Sequence, residues 1–177
     1  NYLPQINADG GGLERYRQFN LGRQEAFFEA GRAAFEGAPA ACALGIHQGA
    51  LSIRFLAGQT APVPVENPRQ VSAWRYPREH GPSAPTFARA MRAPTLSPQL
   101  YISGTAAIVG HVSHHHDDLP AQLDETLANF ASLLEAAGVP ARARFGSHSV
   151  LKVYVRNGED AGAVSARLRE RLPESTP

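Results

Sequence analysis

The densest group of titratable side chains comes directly after an apolar, strand-like stretch, and it comprises His114, His115, His116, Asp117 and Asp118. Imidazole and carboxylate groups are common zinc ligands and common proton donors. Three interpretations stay open: a metal site, one histidine that contacts substrate or moves a proton, and a solvated loop before a helix. The sequence has no Cys-x-x-Cys or His-Glu-x-x-His pattern, so the solvated loop is favoured and no metal is expected.

The segment "WRYPR" at residues 74–78 places an arginine between two aromatic side chains. In a strand, Trp74 and Tyr76 would point to one side and Arg75 to the other. A binding site for an unsaturated ring acid needs such side chains, because apolar faces pack on the ring and a guanidinium forms two parallel hydrogen bonds to a carboxylate. The residues could equally form an edge-strand surface.

The segment "LKVYVR" at residues 151–156 predicts a strand with one basic face, formed by Lys152, Tyr154 and Arg156. A central strand offers little solvent to such a row, which would then favour bound anions. An ordinary half-exposed strand shows the same alternation, so both interpretations stay open.

Small residues fill "SGTAAIVG" at residues 103–110. They indicate either tight packing or a strand that forms the floor of a pocket. In the second case Thr105 would offer its hydroxyl to a carboxylate. His111, at the end of this stretch, is interpreted as a structural histidine.

Composition limits the function classes. The 177 residues are 43% hydrophobic and carry a net charge of +1, which fits a globular domain and gives no basic footprint for nucleic acid. No apolar run is long enough to cross a membrane. The one cysteine, Cys42, is interpreted as a core residue, and a cytoplasmic location is expected.

The elements follow from periodicity and end signals. A helix is expected after residue 12 and is stopped by Gly37, with two short strands behind it in "ACALGI" and "LSIRFLAG" and a third in "VSAWRYP". The second half predicts a strand at Leu100–Val109, a helix capped by Asp117 or Asp118, a strand in "SHSVLKVYVR" and a last helix capped by Asn157. This β-α-β-α order favours a parallel crossover and stops without a further strand, so the sheet is expected to be truncated.

Several ordered motifs resemble one family. "YISGTAAIVGH" with "QLDETLANFASLLEAAG" resembles the RidA/YjgF superfamily. "NYLPQIN", "GGGLERYRQFNLGRQEAF", "SAWRYPREHGPSAPTFARA" and "LKVYVRN" are similar to chorismatases and 3-hydroxybenzoate synthases, specifically to their C-terminal part. The resemblance implies an α+β fold of chorismate-mutase-like architecture, with a mixed sheet packed by helices on one face. It divides the chain into an N-terminal loop and helix at 1–40 and a partial RidA-like domain at 41–177.

The resemblance also implies a reaction, which is the release of pyruvate from chorismate without a cofactor or a metal. The implied substrate-binding residues are those at the family's motif positions: Tyr16, Arg17, Arg75, Tyr76, Arg89, Thr105, Ala106, Lys152, Tyr154 and Arg156. The general acid of the family is a glutamate in strands beyond Pro177, so no catalytic residue is assigned; Glu79 and Glu159 do not match its position.

Two other functions remain open at this level: a RidA-type enamine or imine deaminase, and a ligand-binding domain without catalysis. The expected partner is chorismate alone, with no nucleic acid or membrane. The full-length protein is expected to be a monomer, with a trimer or a partner that supplies missing segments as alternatives. Whether the chain is active by itself stays open.

Overall fold

A computed structural model describes residues 1–140, 145–146 and 148–172. Within them the chain is a mixed α and β structure with three helices and four small sheets. The α+β class is therefore confirmed, but the described strands form separate sheets rather than one mixed sheet. No helix in the described ranges is long and apolar enough to cross a membrane.

The first half begins with short strands around the first helix. These are β1 (Tyr2–Pro4), β2 (Asp9–Gly10), β3 (Leu13–Glu14), helix α1 (Arg15–Glu29) and β4 (Leu44–Ile46). β1 pairs in parallel with β4, and Tyr2 also bridges to Ser52. The predicted strands "ACALGI" and "LSIRFLAG" therefore contact opposite sides of β1 instead of forming a hairpin with each other.

A three-stranded antiparallel sheet forms the centre. Its order is β5 (Val63–Val65), β6 (Ala90–Ala93) and β7 (Gln99–Ile102). The predicted strand Leu100–Val109 ends at Ile102. The following residues run irregularly into a hairpin of β8 (Ile108–Val109) and β9 (Val112–Ser113).

The connection between β5 and β6 contains two 3₁₀ turns, Ala73–Arg75 and Arg78–His80. The predicted strand "VSAWRYP" is therefore wrong. Pro77 lies between the turns, and a proline restricts the residue before it to extended backbone, which Tyr76 adopts. The alternation of aromatic and basic residues at Trp74, Arg75 and Tyr76 therefore does not mark a strand. It falls on the end of the first turn and on Tyr76, the extended residue that follows it.

Two helices follow, α2 (Leu119–Ala136) and α3 (Ala161–Arg171). The predicted cap of α2 is confirmed: the Asp118 carboxylate accepts a hydrogen bond from Ala121 N at 3.0 Å. Asn157 precedes a 3₁₀ turn at Gly158–Asp160 and donates to Asp160, so the predicted cap of the last helix lies one turn early.

The strand predicted in "SHSVLKVYVR", residues 147–156, does not form at residues 148–156, the part that the structure describes. Among the described residues no segment pairs with it, and Val153 is 46% exposed. Alternation favours a strand only where a partner satisfies the backbone groups, so the pattern alone was insufficient. The expected parallel crossover is therefore not observed in the part of the chain that the structure describes.

The core is built of small and aliphatic side chains from both halves. Leu133 and Leu134 of α2, Met91 of β6 and Val164 of α3 are buried. Asn129 of α2 is fully buried among them, and its side-chain amide donates to Ala106 O at 2.9 Å and Ile108 O at 2.8 Å. This amide supplies the hydrogen bonds that the irregular stretch after β7 does not get from a neighbouring strand.

Candidate functional site: a buried arginine and two tyrosines

Arg89, directly before β6, lies at the centre of the candidate site. Its side chain is buried, with 4% exposure for the residue. One Nη2 nitrogen donates to Val71 O at 2.6 Å and to the Tyr76 hydroxyl oxygen at 2.9 Å. Its guanidinium also lies over the rings of Phe87, at 5.3 Å, and Tyr76, at 5.5 Å. These contacts fix the arginine between an aromatic floor and a hydroxyl.

No carboxylate in the described part of the chain forms a salt bridge with Arg89, and its Nε is buried without a hydrogen-bond partner. A carboxylate does contact its main chain, whose N–H donates to Glu66 Oε1 at 3.4 Å. A buried cation is costly unless an anion or several hydrogen bonds compensate it. The arrangement therefore suits a bound anionic group.

Helix α1 brings Tyr16 to the same place. Burial is the main cause that raises the pKa of Tyr16 above its usual 10, and Tyr76 and Arg89 are close enough to act on it electrostatically. The side chain of Asn20, one helical turn further, hydrogen-bonds to Tyr16 and is itself buried. Tyr16 is therefore held as a neutral hydroxyl that can donate a hydrogen bond.

The segment from Tyr76 to Phe87 is bound to α1 along its length. Arg23 donates to Thr86 O at 3.2 Å, and Ser83 donates to Gln24 at 2.9 Å. Gly81 has φ +144°, and a side chain there would meet the stem of Arg17 at 3.4 Å. Arg17 therefore packs at the edge of the site, with an ion pair to Glu14 at 3.4 Å.

Three of the ten predicted residues thus lie together, namely Tyr16, Tyr76 and Arg89, and we call them the Arg89 cluster. Arg17 packs beside Gly81, on the segment that follows Tyr76. Thr105 and Ala106 have structural hydrogen bonds instead: Thr105 donates to Ser103 O at 3.0 Å, and Ala106 O accepts from Asn129. These bonds favour the packing interpretation of "SGTAA".

The remaining four are exposed. Arg75 stacks on Trp74, with its guanidinium carbon 4.4 Å from the ring centroid. Together with Glu66 it lines a cavity of about 240 Å³, and neither Tyr76 nor Arg89 lines that cavity. The Tyr154 hydroxyl lies 2.9 Å from the Tyr2 hydroxyl on β1. Lys152 and Arg156 are exposed on the same irregular segment. The basic face predicted for "LKVYVR" is therefore not part of the Arg89 cluster.

Sequence reasoning missed Asn20 and the pair His80 and His111. Asn20 could have been found, because it lies four residues after Tyr16 on one helix face. The histidines are 31 residues apart, and their rings meet only because the turn at Arg78–His80 and the β8–β9 hairpin are adjacent. His111 was interpreted as structural, and nothing local marked it as a partner of His80.

Comparisons with known proteins agree with the resemblance. Residues 1–57 match the family description "Chorismatase FkbO/Hyg5-like, N-terminal". A 3-hydroxybenzoate synthase of Streptomyces hygroscopicus is 38% identical over 96% of this chain and 53% of its own length. A chorismatase of Streptomyces rapamycinicus is 37% identical over 97% of this chain and 54% of its own length.

A solved structure agrees as well. The crystal structure of a chorismatase superposes with a TM-score of 0.81 at 32% identity, over 96% of this chain and 53% of the solved chain. The chain thus spans about half the length of the relatives it matches. Because the matching family description is the N-terminal one, the prediction that the chain corresponds to the C-terminal part is not supported. By sequence and by structure, the chain is a relative of the chorismatases.

Proposed function

We propose that the protein to which this chain belongs releases pyruvate from chorismate. The observation that carries the proposal is the buried Arg89, which has no carboxylate partner among the described residues and lies beside the Tyr76 hydroxyl. Chorismate has two carboxylates and a non-aromatic six-membered ring. A fixed guanidinium, two tyrosine hydroxyls and the ring of Phe87 are groups that recognise such a molecule.

The roles follow from the contacts. Arg89 binds a carboxylate through the donors that remain after its bonds to Val71 and Tyr76. Tyr76 accepts from Arg89, so its own proton is available to the same anion. Tyr16, kept neutral by burial, donates from the α1 side. Arg17 adds positive charge at the edge. These residues bind and orient the substrate.

The chemistry begins with protonation of the enol ether at its methylene carbon. Water then captures the resulting cation, and collapse of the adduct breaks the carbon–oxygen bond to give pyruvate and a dihydroxycyclohexadiene carboxylate. Alternatively, the bond between the ring carbon and the ether oxygen breaks, so that the protonated side chain leaves as pyruvate, and the ring loses a proton and becomes aromatic, which gives a hydroxybenzoate. The proposal assigns no residue of this chain as the acid and needs no cofactor or metal.

Finer features of the protein belong to the same proposal. We propose a RidA-like ancestry with a division near residue 40, a monomeric full-length protein and a cytoplasmic location. The similarity to chorismatases and the single unpaired cysteine, Cys42, support these points. Size-exclusion chromatography with light scattering tests the oligomeric state directly.

The decisive experiment incubates the full-length protein with chorismate and measures pyruvate, with chromatography of the ring product to identify the branch. We expect Arg89→Lys to raise KM, because an ammonium cannot fork onto a carboxylate. Arg92→Lys is the matched control, since Arg92 is an exposed arginine on β6, the strand that directly follows Arg89. Tyr16→Phe tests the site without altering a buried charge.

No pyruvate release above the uncatalysed rate would refute the activity. Tight binding of chorismate without turnover would support a binding domain instead, and ammonia release from an aminoacrylate source would support the deaminase. If Arg89→Lys and Tyr16→Phe both behave like Arg92→Lys, the Arg89 cluster is not the substrate site.

A further inference from the structure

Three potential metal ligands meet beside Tyr76. His80 Nε2 lies 3.1 Å from His111 Nδ1, and Glu79 Oε1 lies 3.6 Å from the first nitrogen and 3.5 Å from the second. Within the described ranges this is the one group of three histidine, cysteine or acidic residues whose ligand atoms are mutually this close. The three side chains come from two segments that are far apart in the sequence.

The spacing matches a tetrahedral ion. Zinc bonds to nitrogen and oxygen are about 2.0–2.2 Å long, and in a tetrahedron this separates the ligand atoms by about 3.3–3.6 Å. The three observed separations fall at or near this range. An ion could therefore be held by small movements of the three side chains.

The hydrogen-bond geometry also fits. The two ring nitrogens are 3.1 Å apart, close enough for one to donate to the other. The accepting nitrogen of such a pair presents a lone pair, and a lone pair is what a metal ion binds. An ion that binds both nitrogens displaces any proton between them.

The main chain holds the two histidines in place. Gly110, next to His111, donates to Arg69 O at 2.8 Å and accepts from Val71 N at 2.9 Å. His80 ends the 3₁₀ turn Arg78–His80, and its ring packs against Tyr76 with centroids 5.1 Å apart. The two imidazole rings are nearly perpendicular, at 78°, with centroids 5.3 Å apart.

The group is also accessible. The side chains of His80, His111 and Glu79 are 37%, 33% and 66% exposed, so an ion can enter from solvent and water can complete its coordination. We propose that Glu79, His80 and His111 form a site for a divalent transition-metal ion of the zinc class, with two nitrogen ligands, one carboxylate and an open position. Pyruvate release as proposed above does not use this ion.

The test uses tag-free full-length protein that has been stripped with a chelator and titrated with Zn²⁺ in a calorimeter, and with Co²⁺ in a spectrophotometer. We expect one equivalent to bind, with the visible absorption of tetrahedral Co²⁺. Any protons released on binding should make the measured heat vary with the ionisation enthalpy of the buffer. His80→Ala and His111→Ala should each weaken binding at least about tenfold, since even groups that only orient a ligand contribute about 10–100-fold. Glu79→Gln should weaken it as well.

The matched controls are His114→Ala and His116→Ala, which remove exposed histidines within five residues of His111. They should keep the bound equivalent, and circular dichroism without metal should show that all variants are folded. Wild-type protein that binds no Zn²⁺ would overturn the proposal. The proposal would also be overturned if His80→Ala and His111→Ala each still bound one equivalent of Zn²⁺ with unchanged affinity, or if the control variants lost it.

Discussion

The guanidinium of Arg89 donates to the hydroxyl oxygen of Tyr76 at 2.9 Å, which links the start of β6 to the single extended residue between two 3₁₀ turns. Since the hydroxyl accepts from Arg89, its proton points away from the guanidinium. The two groups thus present donors that can act on one anion. Several expected outcomes follow from this and from other contacts.

The first prediction is for Tyr76→Phe, which removes the hydroxyl and keeps the ring. A hydrogen bond that involves a charged group contributes about 1.5–3 kcal/mol, so kcat/KM for chorismate should fall about tenfold to a hundredfold. The melting temperature should fall by a few degrees at most, because Arg89 Nη2 loses this partner but keeps Val71 O, and the Phe side chain fills nearly the same volume. Steady-state pyruvate release measures the effect, and an unchanged kcat/KM would exclude the hydroxyl from binding.

The second prediction concerns the buried amide of Asn129. Asn129→Ala leaves Ala106 O without this donor, whereas Ile108 O keeps a hydrogen bond from Gln70 Nε2 at 3.0 Å. One unsatisfied buried group costs about 1–3 kcal/mol, and we expect the free energy of unfolding to fall by about that amount in urea titrations. Asn7→Ala is the control, because Asn7 is exposed, and it should stay within about 0.5 kcal/mol. A small loss for Asn129→Ala would show that another group replaces the amide.

The third prediction concerns the start of α2. Asp118→Ala removes the side chain that accepts from Ala121 N, and the loss should be about 1 kcal/mol in the free energy of unfolding. Asp118→Asn should retain most of the stability, because asparagine caps a helix as well as aspartate does. Equal losses for the two substitutions would mean that charge, and not the cap hydrogen bond, is what matters.

The fourth prediction is a titration. The hydrogen bond with Tyr2, the largest cause, raises the pKa of Tyr154 to about 12. A raised pKa in the folded state means that the stabilisation is complete below pH 10, the usual tyrosine value, and is lost as the pH rises through 12. Tyr2→Phe should move the ionisation of Tyr154 toward pH 10, as followed by ultraviolet absorbance, whereas Tyr101→Phe should leave it unchanged. An unshifted Tyr154 in Tyr2→Phe would contradict the assigned cause.

The parts of the fold that could be predicted are those set by local signals. The stripe at Leu123, Leu127 and Leu134, the Asp118 cap and Gly138, which has φ +70°, define α2 without any tertiary information. The strand predicted in "SHSVLKVYVR" does not form at residues 148–156, which pair with no other described segment, and alternation does not show whether a partner exists. The turns around Tyr76 were hidden because "WRYP" alternates like a strand.

The candidate site was only partly visible in the sequence. The resemblance pointed to Tyr16, Tyr76 and Arg89, whose meeting depends on how the loop after β5 folds against α1. Spacing could not bring them together, because 60 residues separate Tyr16 from Tyr76. The pairing of His80 with His111 was invisible for the same reason: it depends on the β8–β9 hairpin, whose first strand lies at the end of the single strand predicted for Leu100–Val109.

The main chain at residues 69–71 holds both clusters, since Val71 O accepts from Arg89 while Arg69 O and Val71 N bind Gly110. A shift of this three-residue strip would displace the anion-facing guanidinium and the histidine pair at once. Substitutions that disturb it, even without touching either cluster, should therefore impair two otherwise unrelated properties together. A library of random substitutions measured for pyruvate release and for Zn²⁺ binding should show both losses together at residues 69–71.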